Sequence, residues 1–375
     1  MNSDFARRLI TSAATKPFLI LTGRTGTGKT RLAKYFGEWL GGKDRCLVQP
    51  VGADWTDSRN VIGYFNPLLE RYETTPVLNH VLEANDDPDR PYFLVLDEMN
   101  LSHVEYYFAD FLSAMESERK IPLHQEPGSM PASGSGHDDS SGSDLLIQKS
   151  VEVPSNLFIL GTVNVDETTK MFSPKVLDRA NVLEFTVTGE EFKKFLEDPN
   201  GKLGEVETSP RKGEEFLNLS YAARGLDSEG KLPPLPEDAV DEFREALKTV
   251  FGIMAERDRQ FGYRTGAEAL RYLRVYFQLS EEQDWTEAFD EVMVQKVLPK
   301  LHGGKDEIFN LLVALGIFFI DEDEDKAMGV IGGGGDIQSI SDKIQEGNDP
   351  VFERSSAKVG KLLHQLERRR YASFL

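Results

Sequence analysis

The first half of the chain carries five short apolar runs, each bounded by polar residues and separated from the next by a segment long enough for a helix. The runs are Phe18–Thr22, Cys46–Val51, Tyr92–Leu96, Leu157–Val163 and Val182–Val187. Strands that are apolar throughout are buried on both faces, which is typical of parallel sheets covered by helices. The pattern therefore predicts an α/β fold built on a mainly parallel sheet that is sandwiched by helices.

The second half shows helical spacing instead. Apolar positions recur every three or four residues in Ala239–Ala255, Ala267–Leu279, Trp285–Leu301, Ile308–Phe319 and Val359–Leu366. The preceding residues 200–236 are rich in Gly, Pro and charge, which is typical of a linker, here with a short helix near Glu214–Ala223. We therefore predict an α/β domain over residues 1–199, a linker over 200–236 and a small all-helical domain over 237–375.

Two segments of the first domain stand outside the strand pattern. Residues 126–144 hold six Ser, four Gly and two Pro in nineteen residues. This composition buries little apolar surface and predicts a flexible insertion at a hairpin tip. At the start of the chain, Phe5, Leu9 and Ile10 fit one face of a short helix leading into the core, although the arginines and hydroxyl residues there also fit a transit peptide.

Composition narrows the class of protein. Hydrophobic residues at 39% and charged residues at 28% are typical of a globular chain with a real core. The net charge of −20 argues against broad adhesion to nucleic acid or to an anionic membrane surface. The single cysteine, Cys46, has no partner for an internal disulfide, and no apolar run reaches 18 residues. We therefore expect a cytoplasmic protein without a membrane span.

A phosphate-binding motif follows the first apolar run. Gly23-Arg24-Thr25-Gly26-Thr27-Gly28-Lys29-Thr30 satisfies the pattern G-x-x-x-x-G-K-[ST] between a predicted strand and a predicted helix. In such a loop the backbone amides and the helix N-terminus hold phosphate, the lysine neutralises its β and γ oxygens, and the Thr30 hydroxyl ligates Mg²⁺. The candidate nucleotide-binding residues are Gly23, Gly26, Thr27, Gly28, Lys29, Thr30 and the adjacent Arg31.

An acid pair ends the third apolar run. Asp97 and Glu98 come directly after Phe93–Leu96, the arrangement expected of the second half of a P-loop metal site. Asp97 would hold Mg²⁺ through a water, and Glu98 would orient or deprotonate the attacking water. A glutamate at this position favours hydrolysis over transfer to a second substrate.

Two further polar residues complete the predicted chemistry. Asn164 ends the fourth apolar run, so it emerges at the same sheet edge as the acid pair and can bind the attacking water or a γ-phosphate oxygen. Arg179 follows a short predicted helix over Pro174–Asp178 and could complete the site of a neighbouring subunit. The alternative for Arg179 is a salt bridge to a local acid.

Together these motifs resemble an AAA+ ATPase, and within that class the motor of the McrB group of modification-dependent restriction systems. The resemblance runs from Phe18 to the C-terminus and rests on Leu96–Leu101 followed by Phe108–Glu116, Gly161–Glu167, Phe172–Ala180 and Leu298–Gly303. Phe261-Gly262-Tyr263-Arg264 opens a predicted helix of the second domain, and Arg264 is similar to the sensor-2 arginine that reaches the γ-phosphate from an AAA+ lid.

The resemblance implies a homo-oligomeric ring, usually a hexamer, in which Arg179 is donated in trans and a partner nuclease similar to McrC enters the ring. McrB proteins also carry an N-terminal domain that reads modified DNA, whereas this P-loop begins at Gly23. We therefore expect either the motor alone or a system in which another chain reads the target, with DNA contact through a partner or an upstream domain. McrB prefers GTP and has Asn-Thr-Ala-Asp where this chain has Asn164-Val165-Asp166-Glu167, so the resemblance does not imply a guanine preference here. The expected substrate is ATP, which most AAA+ proteins use, with GTP as the open alternative.

The leading hypothesis is thus a ring-forming NTPase that drives a partner, in defence against foreign DNA. The alternative is a MoxR-like AAA+ chaperone that remodels a protein client. Both share the same core, and the second would explain the acidic charge of the chain.

Overall fold

The computed structural model describes residues 3–117, 119–133, 145–165, 170, 172–197, 207–226, 232–332, 337–346 and 350–374. The α-helices are α1 Ser3–Thr15, α2 Lys29–Gly41, α3 Arg59–Ile62, α4 Pro76–Asp86, α5 Val104–Tyr107, α6 Ala109–Ser117, α7 Pro174–Arg179, α8 Gly189–Glu197, α9 Pro210–Arg224, α10 Glu237–Ala255, α11 Tyr263–Leu279, α12 Trp285–Val292, α13 Lys305–Asp321, α14 Glu324–Ile331, α15 Ile337–Glu346 and α16 Glu353–Arg369.

The strands are β1 Phe18–Gly23, β2 Cys46–Pro50, β3 Tyr64–Asn66, β4 Arg71–Glu73, β5 Tyr92–Asp97, β6 Ile121–Pro122, β7 Met130–Ser133, β8 Leu146–Ile147, β9 Ser150–Val151, β10 Leu157–Asn164, β11 Asn181–Glu184, β12 His302–Gly304 and β13 Tyr371–Ser373. The chain divides into two compact units, a sheet unit over Pro17–Asn218 and a helical unit over Met1–Lys16 and Leu219–Leu375. This division differs from the sequence interpretation, which assigns residues 1–199 to one domain.

The sheet unit is built on five parallel strands in the order β11-β1-β10-β5-β2. The predicted α/β fold with a parallel sheet is therefore confirmed. Because β10 lies between β1 and β5, its carboxyl end lies between theirs, and Asn164 pairs in register with Gly23 of β1. The strand predicted over Val182–Val187 is β11, which ends earlier, at Glu184.

Aromatic residues pack on both faces of the sheet. Phe93 of β5 and Phe158 of β10 are in register, and their rings stack with centroids 5.4 Å apart. Phe18 is in register with Ile159 and so points to the opposite face, where its ring lies 6.1 Å from that of Phe108. All four phenylalanine side chains are fully buried. Helices therefore cover both faces, as predicted.

The short helix predicted near Glu214–Ala223 within the linker segment is present as the longer α9, and the first part of this helix packs on the sheet. Phe216 of α9 is buried, and its ring lies 4.8 Å from Phe158 and 6.0 Å from Phe36 of α2. The average composition of residues 200–236 conceals these apolar positions, because glycines, prolines and charges surround them. Residues 200–206 and 227–231 of this segment lie outside the described residues.

A small four-stranded sheet in the order β3-β4-β7-β8 lies in the same unit. The predicted insertion over residues 126–144 is described only over residues 126–133, and residues 134–144 lie outside the described residues. The described part includes β7, which pairs antiparallel with β8. Residues 130–133 of the predicted flexible insertion are therefore a strand of this sheet.

A buried histidine packs beneath the strand that carries the acid pair. His80 of α4 is 5% exposed, donates from Nε2 to the carbonyl of Phe93 at 3.1 Å and packs against the Tyr92 ring. Burial lowers the pKa of His80 to about 4, although the hydrogen bond to Phe93 opposes this shift. The imidazole is therefore neutral in the folded protein near pH 7.

This burial predicts a pH-dependent stability. The pKa of histidine in the unfolded chain is about 6.5. The stability gained by burying the neutral His80 ring is therefore complete above that pH and is lost as the pH falls toward 4. We expect the free energy of unfolding to lose about 3 kcal/mol over this window, and expect His80→Gln to remove that part of the slope. Urea unfolding at several pH values measures it, with the exposed His364→Gln as the control. Equal slopes for His80→Gln and wild type would contradict the assignment.

The helical unit is organised around α13, whose residues from Leu311 to Phe319 are buried without interruption. Phe352 at the start of α16 packs against Phe318 of α13 and Phe289 of α12. The buried carboxylate of Asp290 accepts from the backbone N–H groups of Arg354 and Ser355 at 2.8 and 2.7 Å, which satisfies the first turn of α16.

Two details of the sequence interpretation are wrong in this unit. Strands β12 and β13 pair antiparallel, so the unit is not all-helical. The helix predicted over Trp285–Leu301 ends at Val292 and continues as a π turn over Met293–Val297 and a 3₁₀ turn over Leu298–Lys300. Pro299 explains the break, because its ring conflicts with the carbonyl four residues earlier.

The predicted N-terminal helix is present as α1 and packs within the helical unit. Arg8 of α1 pairs with the buried Glu291 at 2.5 Å, and Ser12 donates to Gln295 at 2.8 Å. Lys16 pairs with Glu268, whose other carboxylate oxygen lies 2.7 Å from Lys296. Among the described residues, no helix combines the length and apolar character needed to cross a membrane.

Candidate functional site

The Gly23–Thr30 loop joins β1 to α2, as its sequence predicts. Gly26 and Gly28 have positive φ values of 79° and 92°, which glycine adopts without steric cost. A Cβ atom on Gly23 would lie 2.3 Å from the carbonyl oxygen of Phe185, so only glycine fits there. Residues 24–26 and Gly28 are exposed. The loop therefore presents its backbone to solvent at the N-terminus of a 13-residue helix.

Lys29 is folded into this loop. Its side chain is buried, and Nζ donates to the carbonyl oxygens of Gly23 and Arg24 at 2.9 and 2.8 Å. Thr27 donates from its hydroxyl to the same Arg24 carbonyl at 2.8 Å. The ammonium is thereby held at the centre of the loop, where an incoming phosphate would meet it.

A hydrogen bond from Thr30 connects the loop to the acid pair. The Thr30 hydroxyl donates to Asp97 Oδ1 at 2.5 Å. Asp97 ends β5, and Thr30 lies in the first turn of α2, so the contact joins two elements 67 residues apart in sequence. Both side chains are partly exposed, which leaves the pair accessible from solvent.

Asn164 faces Glu98. Its Nδ2 atom lies 3.4 Å from Glu98 Oε1, and its backbone carbonyl accepts from Asn100 Nδ2 at 3.4 Å. Glu98 has φ 52° and ψ 48°, the left-handed region, which is uncommon for a residue with a side chain. A carboxylate and an amide thus face one another at the edge of the sheet where the P-loop also lies.

The remaining predicted residues bond to other partners or belong to the other unit. Arg179 ends α7 and forms a salt bridge with Glu116, while its Nε and Nη1 donate to the carbonyls of Leu112 and Lys175 at 3.0 and 2.7 Å. Arg31 is exposed, and its Nε donates to the Tyr35 hydroxyl at 2.9 Å. Arg264 is the second residue of α11 in the helical unit.

The structure adds one residue that the sequence interpretation missed. The Thr162 hydroxyl donates to Asp97 Oδ1 at 2.7 Å and accepts from the Glu98 N–H at 3.0 Å. Its signal in the sequence is its place in β10 two residues before Asn164, which puts both side chains on one face of the strand. A buried hydroxyl in an otherwise apolar strand therefore indicates a hydrogen bond to a polar group of a neighbouring strand.

Among the described residues, no cluster of three or more His, Cys, Asp or Glu side chains forms a metal site. The oxygen atoms suited to a cation at the loop are those of Thr30 and Asp97, one hydroxyl and one carboxylate. Mg²⁺ takes oxygen ligands and keeps several of its waters, so this donor set fits it.

Residues 205–371 match the family model described as "Domain of unknown function (DUF8727)". The match covers most of the helical unit but neither the P-loop nor the acid pair. No curated protein matches the chain.

Proposed function

We propose that this protein is an AAA+ nucleoside triphosphatase that assembles into a ring and couples hydrolysis of ATP or GTP to the action of a partner. The observation that carries the proposal is the contact between Thr30 and Asp97. It joins a phosphate-binding loop to an acid pair, and Asn164 lies against the second acid of that pair. Binding, cation and water-activating groups thus share one edge of the sheet.

Nucleotide binding would use the loop and the helix that follows it. The amides between Gly23 and Thr30 and the positive end of α2 attract the phosphates. Lys29 would exchange its bonds to the Gly23 and Arg24 carbonyls for bonds to the β and γ oxygens. The same contacts serve ATP and GTP, because the loop meets phosphate and not the base.

The cation would be Mg²⁺, held by Thr30 directly and by Asp97 through a water. When bound, Mg²⁺ supplies charge neutralisation for the β- and γ-phosphate oxygens. Asp97 already accepts the Thr30 hydroxyl, so the two ligands are close before the nucleotide arrives.

Hydrolysis would follow from Glu98 and Asn164. Glu98 takes a proton from water while the water oxygen attacks the γ-phosphorus, and the bond from that phosphorus to the β-bridging oxygen breaks. Asn164 donates to the water or to a γ oxygen and so fixes the line of attack. Arg179 of a neighbouring subunit would neutralise charge on the γ-phosphate.

The partner proposed first is the nuclease of a McrB-like restriction system, in defence against foreign DNA. The net charge of −20 disfavours strong direct binding of DNA by this chain, so DNA contact would run through the nuclease or another chain. Stimulation of NTP turnover by DNA in the presence of such a nuclease supports this candidate.

One observation favours the second candidate, a MoxR-like chaperone. Leu68 and Leu69 are 92% and 59% exposed at the turn between β3 and β4. Their backbone N–H groups donate to Asn66 Oδ1 at 3.1 and 3.4 Å, so the turn is fixed. Adjacent leucines on a fixed turn suit contact with a polypeptide. Stimulation of turnover by an unfolded polypeptide, and its loss in Leu68→Asp, supports this candidate.

Lys29→Ala is expected to weaken NTP binding by about 10- to 150-fold, because one charge-assisted hydrogen-bonding group contributes about 1.5–3 kcal/mol. Titration of a fluorescent ATP or GTP analogue measures the affinity, and phosphate release measures turnover. Lys34→Ala, at an exposed lysine of the same helix, is the matched control and is expected to bind like wild type. If wild type binds neither nucleotide, or Lys29→Ala binds as tightly as wild type, the proposed function is wrong.

A further inference from the structure

We propose that Thr162 is a positioning residue that couples the backbone at Glu98 to the carboxylate of Asp97. This inference rests on the proposed function, and it assigns a role to a residue outside the P-loop, the acid pair and the terminal Asn of β10. Thr162 does not contact the nucleotide itself and acts only through Asp97 and Glu98.

The first observation is that one hydroxyl makes both contacts. Thr162 Oγ1 donates its proton to Asp97 Oδ1 at 2.7 Å and accepts the Glu98 N–H at 3.0 Å. The side chain is 2% exposed, so water does not compete for either bond. Buried hydroxyls with both functions satisfied fix their partners more firmly than exposed ones.

The second observation is the conformation that the contact holds. Glu98 adopts φ 52° directly after β5, where an extended backbone would continue the strand. Left-handed backbone at a residue with a side chain persists only when its surroundings impose it. The bond from the Glu98 N–H to Thr162 is one such restraint. Met99 supplies another by packing over Gly161, where a Cβ atom would lie 2.3 Å from Met99 Sδ.

The third observation is that Asp97 Oδ1 is shared. Thr30 and Thr162 both donate to this oxygen, from α2 and from β10. The Thr30 oxygen would also hold Mg²⁺, whereas Thr162 would hold no ligand, so the bond from Thr162 to Asp97 does not depend on the cation. Thr162 would therefore keep the carboxylate aimed at the loop with or without Mg²⁺.

The test exchanges the hydroxyl for a methyl group. Thr162→Val keeps the shape of the side chain and removes both hydrogen bonds. Supporting groups of this kind contribute about 10- to 100-fold to metal affinity or activity. We expect the Mg²⁺ concentration for half-maximal turnover to rise by that factor, and Thr162→Ser to return within about threefold of wild type.

Binding gives a readout that does not depend on turnover. The affinity for a non-hydrolysable NTP analogue is measured with and without Mg²⁺. In Thr162→Val we expect the gain in affinity from Mg²⁺ to shrink by the same 10- to 100-fold, while binding without Mg²⁺ stays near wild type. Thr22→Val is the matched control, because Thr22 of β1 is as buried as Thr162. It follows Leu21, the residue in register with Thr162, so its side chain points to the opposite face of the sheet.

The two proposals fail in different ways. A folded Thr162→Val protein with wild-type Mg²⁺ dependence in both assays overturns the role of Thr162 and leaves the NTPase intact. Equal losses in Thr162→Val and Thr22→Val also overturn it, since they indicate a general packing effect. Absence of NTP binding and turnover in wild type overturns the proposed function and this inference with it.

Discussion

Replacing Glu98 by Gln is expected to lower the rate of NTP hydrolysis by about 10²- to 10⁴-fold, because the amide cannot accept the proton of the attacking water. Nucleotide affinity should stay within about twofold of wild type, since the substitution removes a group needed for the chemical step rather than for binding. The amide also retains an oxygen for Asn164, so the local geometry is preserved. Phosphate release and analogue titration, measured on the same preparations, separate the two effects.

The matched control is Asp89→Asn. Asp89 is an exposed acid in the turn before β5, so it lies at the opposite end of the strand that carries Asp97. It is expected to hydrolyse NTP at the wild-type rate. A Glu98→Gln protein that binds nucleotide and hydrolyses it within a few-fold of wild type would show that another group activates the water, and the mechanism as drawn would be wrong.

Replacing Arg179 by Ala is expected to lower turnover by about 10³- to 10⁵-fold, the range found for arginines that reach the γ-phosphate from outside the P-loop. The effect requires Arg179 to leave Glu116 and the carbonyls that hold it in its own chain. Glu116→Gln removes the competing carboxylate and should therefore leave turnover equal to or above that of wild type. Turnover is measured across protein concentration, because a site shared between subunits becomes more active as subunits assemble.

Mixing two inactive proteins decides whether Arg179 acts in trans. Arg179→Ala keeps an intact P-loop, and Lys29→Ala keeps an intact Arg179. In a mixed ring, some interfaces combine both intact parts, so the mixture should regain a measurable fraction of wild-type turnover. If both proteins are folded and assemble together but the mixture remains inactive, Arg179 does not complete a neighbour's site.

The conformation of the Gly23–Thr30 loop could be predicted from sequence because its determinants are contiguous. The glycines that adopt positive φ, the lysine and the threonine all lie within eight residues of Gly23–Thr30. The positions of Asp97 and Glu98 could be predicted in a similar way, because an apolar strand that ends in two acids leaves both at the sheet edge. Their roles in catalysis stay predictions until the variants are measured.

Contacts between segments that are distant in the sequence could not be predicted. The shared bond of Thr30 and Thr162 to one oxygen depends on strand order and register, which no local pattern encodes. The pairing of Arg179 with Glu116 was open for the same reason, because many acids could have been its partner. The packing of Phe216 on the sheet was hidden by the composition of the segment around it.

The place of α1 in the helical unit has a consequence for synthesis of the chain on the ribosome. Lys16 and its partner Glu268 are 252 residues apart, which corresponds to roughly 10–50 s of translation. During that time the buried face of α1 has no partner, while the whole sheet unit emerges behind it. A fragment beginning after α1 would remove Arg8 from Glu291, which is 1% exposed, and leave Arg354 as the cation beside this acid. Residues 205–371, which match a family model, thus lack the α1 side chains that pack within their own unit.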